Sequence, residues 1–237
     1  MKLFIKKIEK FDLQNKIAVI GDSHSRSFSY NKNFVPFFLE EGKKNNFINK
    51  QNFKFVKKKT LKLLNSIKCN KTILFFGEPD SRYLQGKGWY PWEVQKAEEV
   101  DITKGIEEST DRYIKLINSV SRRVDEVIVM NVIVTAYSEQ NKITKEYNEC
   151  LKNKLRGTDV HFIEINKMLL NDKNEIKDEY KGDQIHASNK IQIHVEDFLK
   201  KNGMIEHSGF YIKLKWDHST VFRKFKKNDR FGCFTLD

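Results

Sequence analysis

A fully apolar run, Ile17 to Ile20, ends in Gly21-Asp22-Ser23 and continues into a segment that is typical of a helix start. Glycine permits a tight turn at the end of a strand. Ser23 would then lie where the amides at a helix terminus stabilise a developing negative charge, as a nucleophile requires. The pattern is short, and an ordinary serine at the N-cap of a helix would produce it too.

A second group of residues, Asp183-Gln184-Ile185-His186, precedes a segment that is helix-like from Asn189 onward. A carboxylate three residues before a histidine can bind one imidazole nitrogen and leave the other facing a nucleophile. These residues therefore predict a general acid/base at His186. The alternative is a surface aspartate beside a histidine that only packs.

Positioning these residues requires an alternation of strands and helices. β-rich apolar runs and amphipathic runs follow one another along the chain. The predicted strands are KIAVIGDS, FKFV, TILFFG, DEVIVMNVIVT and DVHFIEI, and the predicted helices span 106–124, 142–155 and 189–201. Buried strands joined by helices favour an α/β three-layer sandwich with a mostly parallel five-stranded sheet. Ligands bind at the carboxyl edge of such a sheet, where Ser23, residues 78–82 and the loop before His186 should gather.

The order of these motifs resembles that of the SGNH/GDSL hydrolases, over about residues 16 to 203. The resemblance implies a flavodoxin-like sandwich in which Ser23 is the nucleophile, His186 the general acid/base and Asp183 the orienting carboxylate. The G-D-S-H start and the later F-F-G-E-P-D-S-R look most like a bacterial branch whose third block reads roughly G-E-x-D-x-R. We divide the chain into an SGNH-like domain, 1–203, and a basic, aromatic extension, 204–237.

The third block departs from the family pattern at the oxyanion site. The family has an asparagine whose side chain donates to the oxyanion, but Pro79 stands there, and proline cannot donate. Losing one such donor costs roughly 3 to 4 kcal/mol of transition-state stabilisation. The oxyanion candidates are therefore Ser23, Gly42 and Arg82, with Glu78 or Asp80 holding the guanidinium. Alternatively, Arg82 forms an ion pair that only braces the loop.

The segment after this block contains an aromatic cluster, Trp89, Tyr90 and Trp92. These rings could bind a sugar or an apolar acyl group, or else form a lid packed on the core. We count them with Asp22, Glu78 and Asp80 as candidate substrate-binding residues.

The composition restricts the partners. Lys and Arg number 44 against 32 Asp and Glu, but the excess is spread along the chain, which argues against a nucleic-acid partner. The cysteines, Cys69, Cys150 and Cys233, are odd in number and lack metal-ligand spacing, so we expect no metal, no cofactor and a reducing compartment. Charges interrupt the N-terminal apolar residues, and no window approaches a membrane span, which favours the cytoplasm.

We expect a serine esterase that hydrolyses small O-acyl groups, acetyl above all, from a carbohydrate through an acyl-enzyme. The alternatives are an O-acyltransferase and a catalytically reduced SGNH domain that binds a glycan or another anionic ligand. Apolar residues alternate from Phe210 to Trp216. This period of two predicts a hairpin-like appendage that covers a sheet edge or a partner subunit in a homo-oligomer.

Overall fold

A computed structural model of the chain describes residues 13, 15–39, 47–85, 101–136, 138–173, 175–209 and 234–236. Five strands form an all-parallel sheet in the order β5-β4-β3-β1-β2. They are β1 (Ile17–Gly21), β2 (Phe34–Leu39), β3 (Lys71–Phe75), β4 (Glu126–Met130) and β5 (His161–Ile163). A short strand, β6 (Phe234–Leu236), adds to the outer edge of β2, also in parallel.

Helices follow the strands, as parallel pairing requires. The α-helices are α1 (Lys50–Ser66), α2 (Glu78–Leu84), α3 (Ile102–Val120), α4 (Ser138–Leu155), α5 (Asn166–Leu169) and α6 (Gln192–Lys201). Three short 3₁₀ helices span Ser23–Phe28, Asp178–Tyr180 and Asn189–Ile191. The predicted helices are confirmed with shifted ends, since α3 begins at Ile102 and ends before Val124.

Alternate residues of the strands β1 to β5 enter two separate hydrophobic cores. On β1, Ala18 and Ile20 pack with residues of α1, α3 and α4, whereas Ile17 and Val19 pack with residues of α6 and the first 3₁₀ helix. Both faces of the sheet are therefore covered, and the predicted three-layer α/β sandwich is confirmed.

One predicted strand is wrong. The run FKFV, residues 53–56, lies inside α1, whose N-cap is Asn49; its side chain accepts the amides of Gln51 and Asn52 at 2.9 and 3.1 Å. Val56, Thr60, Leu63 and Leu64 are buried at helical spacing, so a four-residue apolar run is too short to identify a strand. The second strand is β2, whose Pro36 conceals it because proline usually argues against a strand.

The chain leaves the sheet after Met130, earlier than the apolar run to Thr135 predicts. The side chain of Asn148 on α4 forms hydrogen bonds with both backbone groups of Val132. It accepts from the N–H at 2.7 Å and donates to the carbonyl at 2.8 Å. These bonds replace those of a strand ladder. The segment then reaches the motif of Asp183 and His186, where the Ala136 amide donates to the Gln184 carbonyl at 3.0 Å.

The C-terminal extension is described only at residues 204–209 and 234–236. The predicted alternation from Phe210 to Trp216 lies outside the described residues, so the hairpin-like appendage and the boundary at residue 203 stay predictions. Within the described ranges, no helix combines the length and the apolar character that crossing a membrane demands.

Candidate active site

Ser23 is the first residue of the 3₁₀ helix that follows β1, at the carboxyl edge of the sheet. β1 and β3 approach so closely at Gly21 that a Cβ atom there would lie 2.1 Å from the Phe75 carbonyl oxygen. The next residue, Asp22, caps the helix by accepting the His24 amide at 3.0 Å. The strand end and the cap together fix the position of Ser23.

The segment from Gly182 to Ala187 is a compact loop that is held by its own aspartate. Oδ1 of Asp183 accepts the backbone amides of Ile185 at 2.7 Å and His186 at 2.6 Å. The Gly182 amide donates to the His186 carbonyl at 2.8 Å. This turn brings the Asp183 carboxylate against the His186 ring, at 2.9 Å between Oδ2 and Nδ1.

The loop and the 3₁₀ helix meet at two side chains. Nε2 of His186 lies 2.8 Å from Oγ of Ser23. Ser23, His186 and Asp183 thus form a continuous hydrogen-bonded chain, the geometry that a nucleophile, a base and an orienting carboxylate require. Their catalytic roles stay predictions.

The two aspartates of the site have opposite electrostatic environments. Burial acts to raise the pKa of Asp183, but hydrogen bonds from the His186 ring and the amides of His186 and Ile185 outweigh it and lower that pKa. Asp183 is therefore ionised at neutral pH. In contrast, burial, reinforced by the Glu78 carboxylate, raises the pKa of Asp22 to about 8.

Solved structures of other proteins share this architecture. A GDSL-like lipase from Bacteroides thetaiotaomicron superposes with a TM-score of 0.55 at 10% identity, covering 85% of this chain and 95% of that chain. A catalytic mutant of an acetylxylan esterase from Geobacillus stearothermophilus gives 0.53 at 13% identity, covering 83% and 97%. The chain has the fold of the GDSL-like hydrolases. No family model matches the sequence, and no curated protein matches it either.

Within this GDSL-like fold, the third block forms the start of α2. Gly77 caps that helix with a φ of 118°, and Pro79 occupies its first turn, where the missing amide proton is not needed. Nε and Nη2 of Arg82 donate to the Glu78 carboxylate at 2.8 and 2.5 Å, and both residues are buried. Gln140 of α4 donates to the same carboxylate at 3.0 Å.

The Arg82–Glu78 ion pair fits both alternatives that the sequence offers for Arg82, because Glu78 would hold the guanidinium in an oxyanion site as well as in a bracing pair. A direct contact of Arg82 with an oxyanion stays a prediction. The contacts of Asp80 are different, because its Oδ1 accepts the backbone amides of Phe47 and Ile48, both at 2.8 Å. Asp80 therefore anchors the chain just before α1, and its predicted role in holding the guanidinium stays a prediction.

Four of the predicted site residues, Gly42, Trp89, Tyr90 and Trp92, lie outside the described residues. Their predicted roles in oxyanion and substrate binding stay predictions, as do those of Asp22, Glu78 and Asp80.

The His24 ring packs beside the site, 4.9 Å from the His186 ring and 5.7 Å from the Phe75 ring between centroids. It is His186, however, that contacts the Ser23 hydroxyl. Among the described residues of this GDSL-like fold, no group of three or more His, Cys, Asp or Glu side chains is arranged to hold a metal ion.

Proposed function

We propose that this protein is a serine ester hydrolase that removes small O-acyl groups, acetyl being the leading candidate, from a carbohydrate. The observation that carries the proposal is the 2.8 Å contact between Ser23 Oγ and His186 Nε2, with Asp183 behind the imidazole. The structural likeness to an acetylxylan esterase and a GDSL-like lipase supports an acyl ester as substrate.

In the proposed reaction, Ser23 Oγ attacks the ester carbonyl carbon while His186 Nε2 takes the hydroxyl proton. Asp183, ionised because its pKa is lowered, stabilises the imidazolium through Nδ1. Collapse of the tetrahedral intermediate breaks the ester C–O bond, and the leaving alkoxide takes the proton from Nε2. Water then attacks the acyl-enzyme with the same proton transfers through His186, which releases the carboxylic acid and restores the Ser23 hydroxyl.

The test compares turnover of a panel of aryl acetates and acetylated sugars by wild type and Ser23→Ala. We expect hydrolysis by wild type and its loss in the variant, together with labelling of Ser23 by a phosphonate ester probe in intact-protein mass spectrometry. If the folded wild-type protein neither turns over the panel nor reacts with the probe, the proposal that it is a hydrolase is wrong.

A second candidate is a catalytically reduced domain that binds a glycan or another anionic ligand. Pro79 favours it, because proline occupies the position from which the family's asparagine donates to the oxyanion. Specific glycan binding without turnover or Ser23 labelling would favour this candidate.

A further inference from the structure

We propose that Ser27 and Gln192 are positioning residues that hold the loop of Asp183 and His186 in register with the helix of Ser23. The inference rests on the proposed function, since it concerns the same nucleophile and base. Neither residue belongs to a motif that the sequence singles out.

Ser27 connects the two segments directly. It lies on the same 3₁₀ helix as Ser23, further toward the end of that helix, and its side chain is buried. Its Oγ donates to the carbonyl of Ala187 at 2.8 Å. Because Ala187 follows His186 in the chain, this bond sets the distance between the two backbones next to the reacting side chains.

Gln192 makes the reciprocal connection from the other side. It is the first residue of α6, fully buried, and its Nε2 donates to the carbonyls of Ser27 at 2.5 Å and Ser29 at 3.0 Å. Its Oε1 accepts from Asn31 Nδ2 at 2.7 Å, which fixes the orientation of the amide. The end of the Ser23 helix is thereby tied to the helix that follows the His186 loop.

These cross-links matter because the His186 loop is braced internally by the Asp183 carboxylate. Internal bracing fixes the shape of the loop but not its position relative to Ser23, and the bond from the Ala136 amide to the Gln184 carbonyl ties the loop to the segment after β4 and not to the helix of Ser23. A displacement of about 1 Å in a reacting pair can cost on the order of a hundredfold in rate, even when it originates away from the reacting atoms. We therefore expect loss of a cross-link to lengthen the Oγ–Nε2 contact.

The experiment compares Ser27→Ala and Gln192→Met with wild type in kcat, KM and melting temperature. Methionine preserves the length of the glutamine side chain but removes its donor and its acceptor. We expect kcat to fall roughly 10- to 100-fold, with KM within about twofold, at temperatures well below the transition.

Ser109→Ala is the matched control. Ser109 is a buried serine on α3 that shares a hydrogen bond with Tyr147 at 3.0 Å in the opposite core. The Ser109→Ala variant should lose as much stability as the two cross-link variants and keep kcat within about twofold of wild type. Wild-type kcat in both cross-link variants, or an equal loss in the control, would overturn the proposal.

Crystal structures of Ser27→Ala and Gln192→Met provide a readout that does not need turnover. We expect the Oγ–Nε2 distance to exceed hydrogen-bond range in both, while the control keeps it. An inactive wild type would refute the proposed hydrolase activity, and the Oγ–Nε2 distance would still test the positioning role by itself. An unchanged distance in both variants would overturn the positioning role.

Discussion

His186 and Asp183 contribute differently to the proposed reaction, and the difference is measurable residue by residue. His186→Ala removes the base, and Asp183→Asn removes the charge that orients the imidazole. We expect kcat to fall on the order of 10⁶-fold in His186→Ala and on the order of 10⁴-fold in Asp183→Asn, with KM nearly unchanged in both, because neither group needs to bind the ground state. Steady-state kinetics on an aryl acetate measure this. Full activity in His186→Ala would mean that His186 has been misassigned as the base.

The raised pKa of Asp22 predicts a pH dependence of stability. Between its unfolded pKa near 4 and its folded pKa of about 8, Asp22 holds a proton in the folded state that the unfolded chain releases. The free energy of unfolding should therefore fall as pH rises through this window, by up to about 1.4 kcal/mol per pH unit. Asp22→Asn should remove this fall while keeping an acceptor for the His24 amide.

Chemical denaturation at pH 5, 6, 7 and 8 measures that difference. Asp178→Asn is a suitable control, because Asp178 is exposed and its pKa is lowered, so it should titrate below the whole range. Parallel stability profiles of wild type and Asp22→Asn would contradict a protonated Asp22.

At the scale of elements, the direction of α2 depends on Gly77. Its φ of 118° disfavours any side chain, and a Cβ atom would lie 2.6 Å from Cγ2 of Val132. Gly77→Ala should cost roughly 2 to 5 kcal/mol through backbone strain and overpacking. Gly157→Ala is the control, since its φ of 76° is also positive but nothing lies within 4 Å. Equal losses in the free energy of unfolding of the two variants, measured by urea denaturation, would show that crowding at Val132 is not important.

The sequence predicts an element well when its periodic pattern is long enough. The nineteen residues of α3 keep a helical spacing that predicts the helix, whereas the four-residue apolar run inside α1 wrongly predicts a strand. The pattern over residues 34–39 does not predict β2, because Pro36 interrupts the apolar run. The asparagine bonds that end β4 depend on Asn148, a side chain on another element, so no local pattern in the strand could reveal them.

At the scale of the whole molecule, the segment after α6 is joined to the domain through Glu196. This buried carboxylate accepts from Asn33, Ser208 and the Gly209 amide. Truncation after Gly203 should lose about 2 to 4 kcal/mol more stability than truncation after Gly209, because it removes two donors to a buried charge. Differential scanning calorimetry tests this, and equal melting of the two truncations would contradict it.

Truncation after Gly209 also removes β6 and uncovers the edge of β2. An open edge pairs readily with another chain, so we expect concentration-dependent association in analytical ultracentrifugation. If this truncated protein stays monomeric but loses salt-sensitive affinity for RNA or an anionic glycan, the extension binds a ligand instead.

The site was predictable to the extent that motifs carry it. Gly21-Asp22-Ser23 and Asp183 to His186 identify residues that the structure brings into contact. The connections that hold them together were not predictable, because Ser27 and Ala187 are 160 positions apart and a serine hydroxyl on a carbonyl leaves no local signature. Asp80 is an intermediate case, because the G-E-P-D block identifies it as a candidate but no local pattern indicates that it binds the backbone amides of Phe47 and Ile48.

The separation of 163 positions between Ser23 and His186 has a consequence for biosynthesis. At about 5 to 20 residues per second, a ribosome that has added Ser23 needs roughly 8 to 33 seconds to add His186. Throughout this interval the nascent chain contains the proposed nucleophile without its base. Stalled chains that end before His186 should therefore be inert toward a phosphonate probe, so translation itself delays the onset of reactivity.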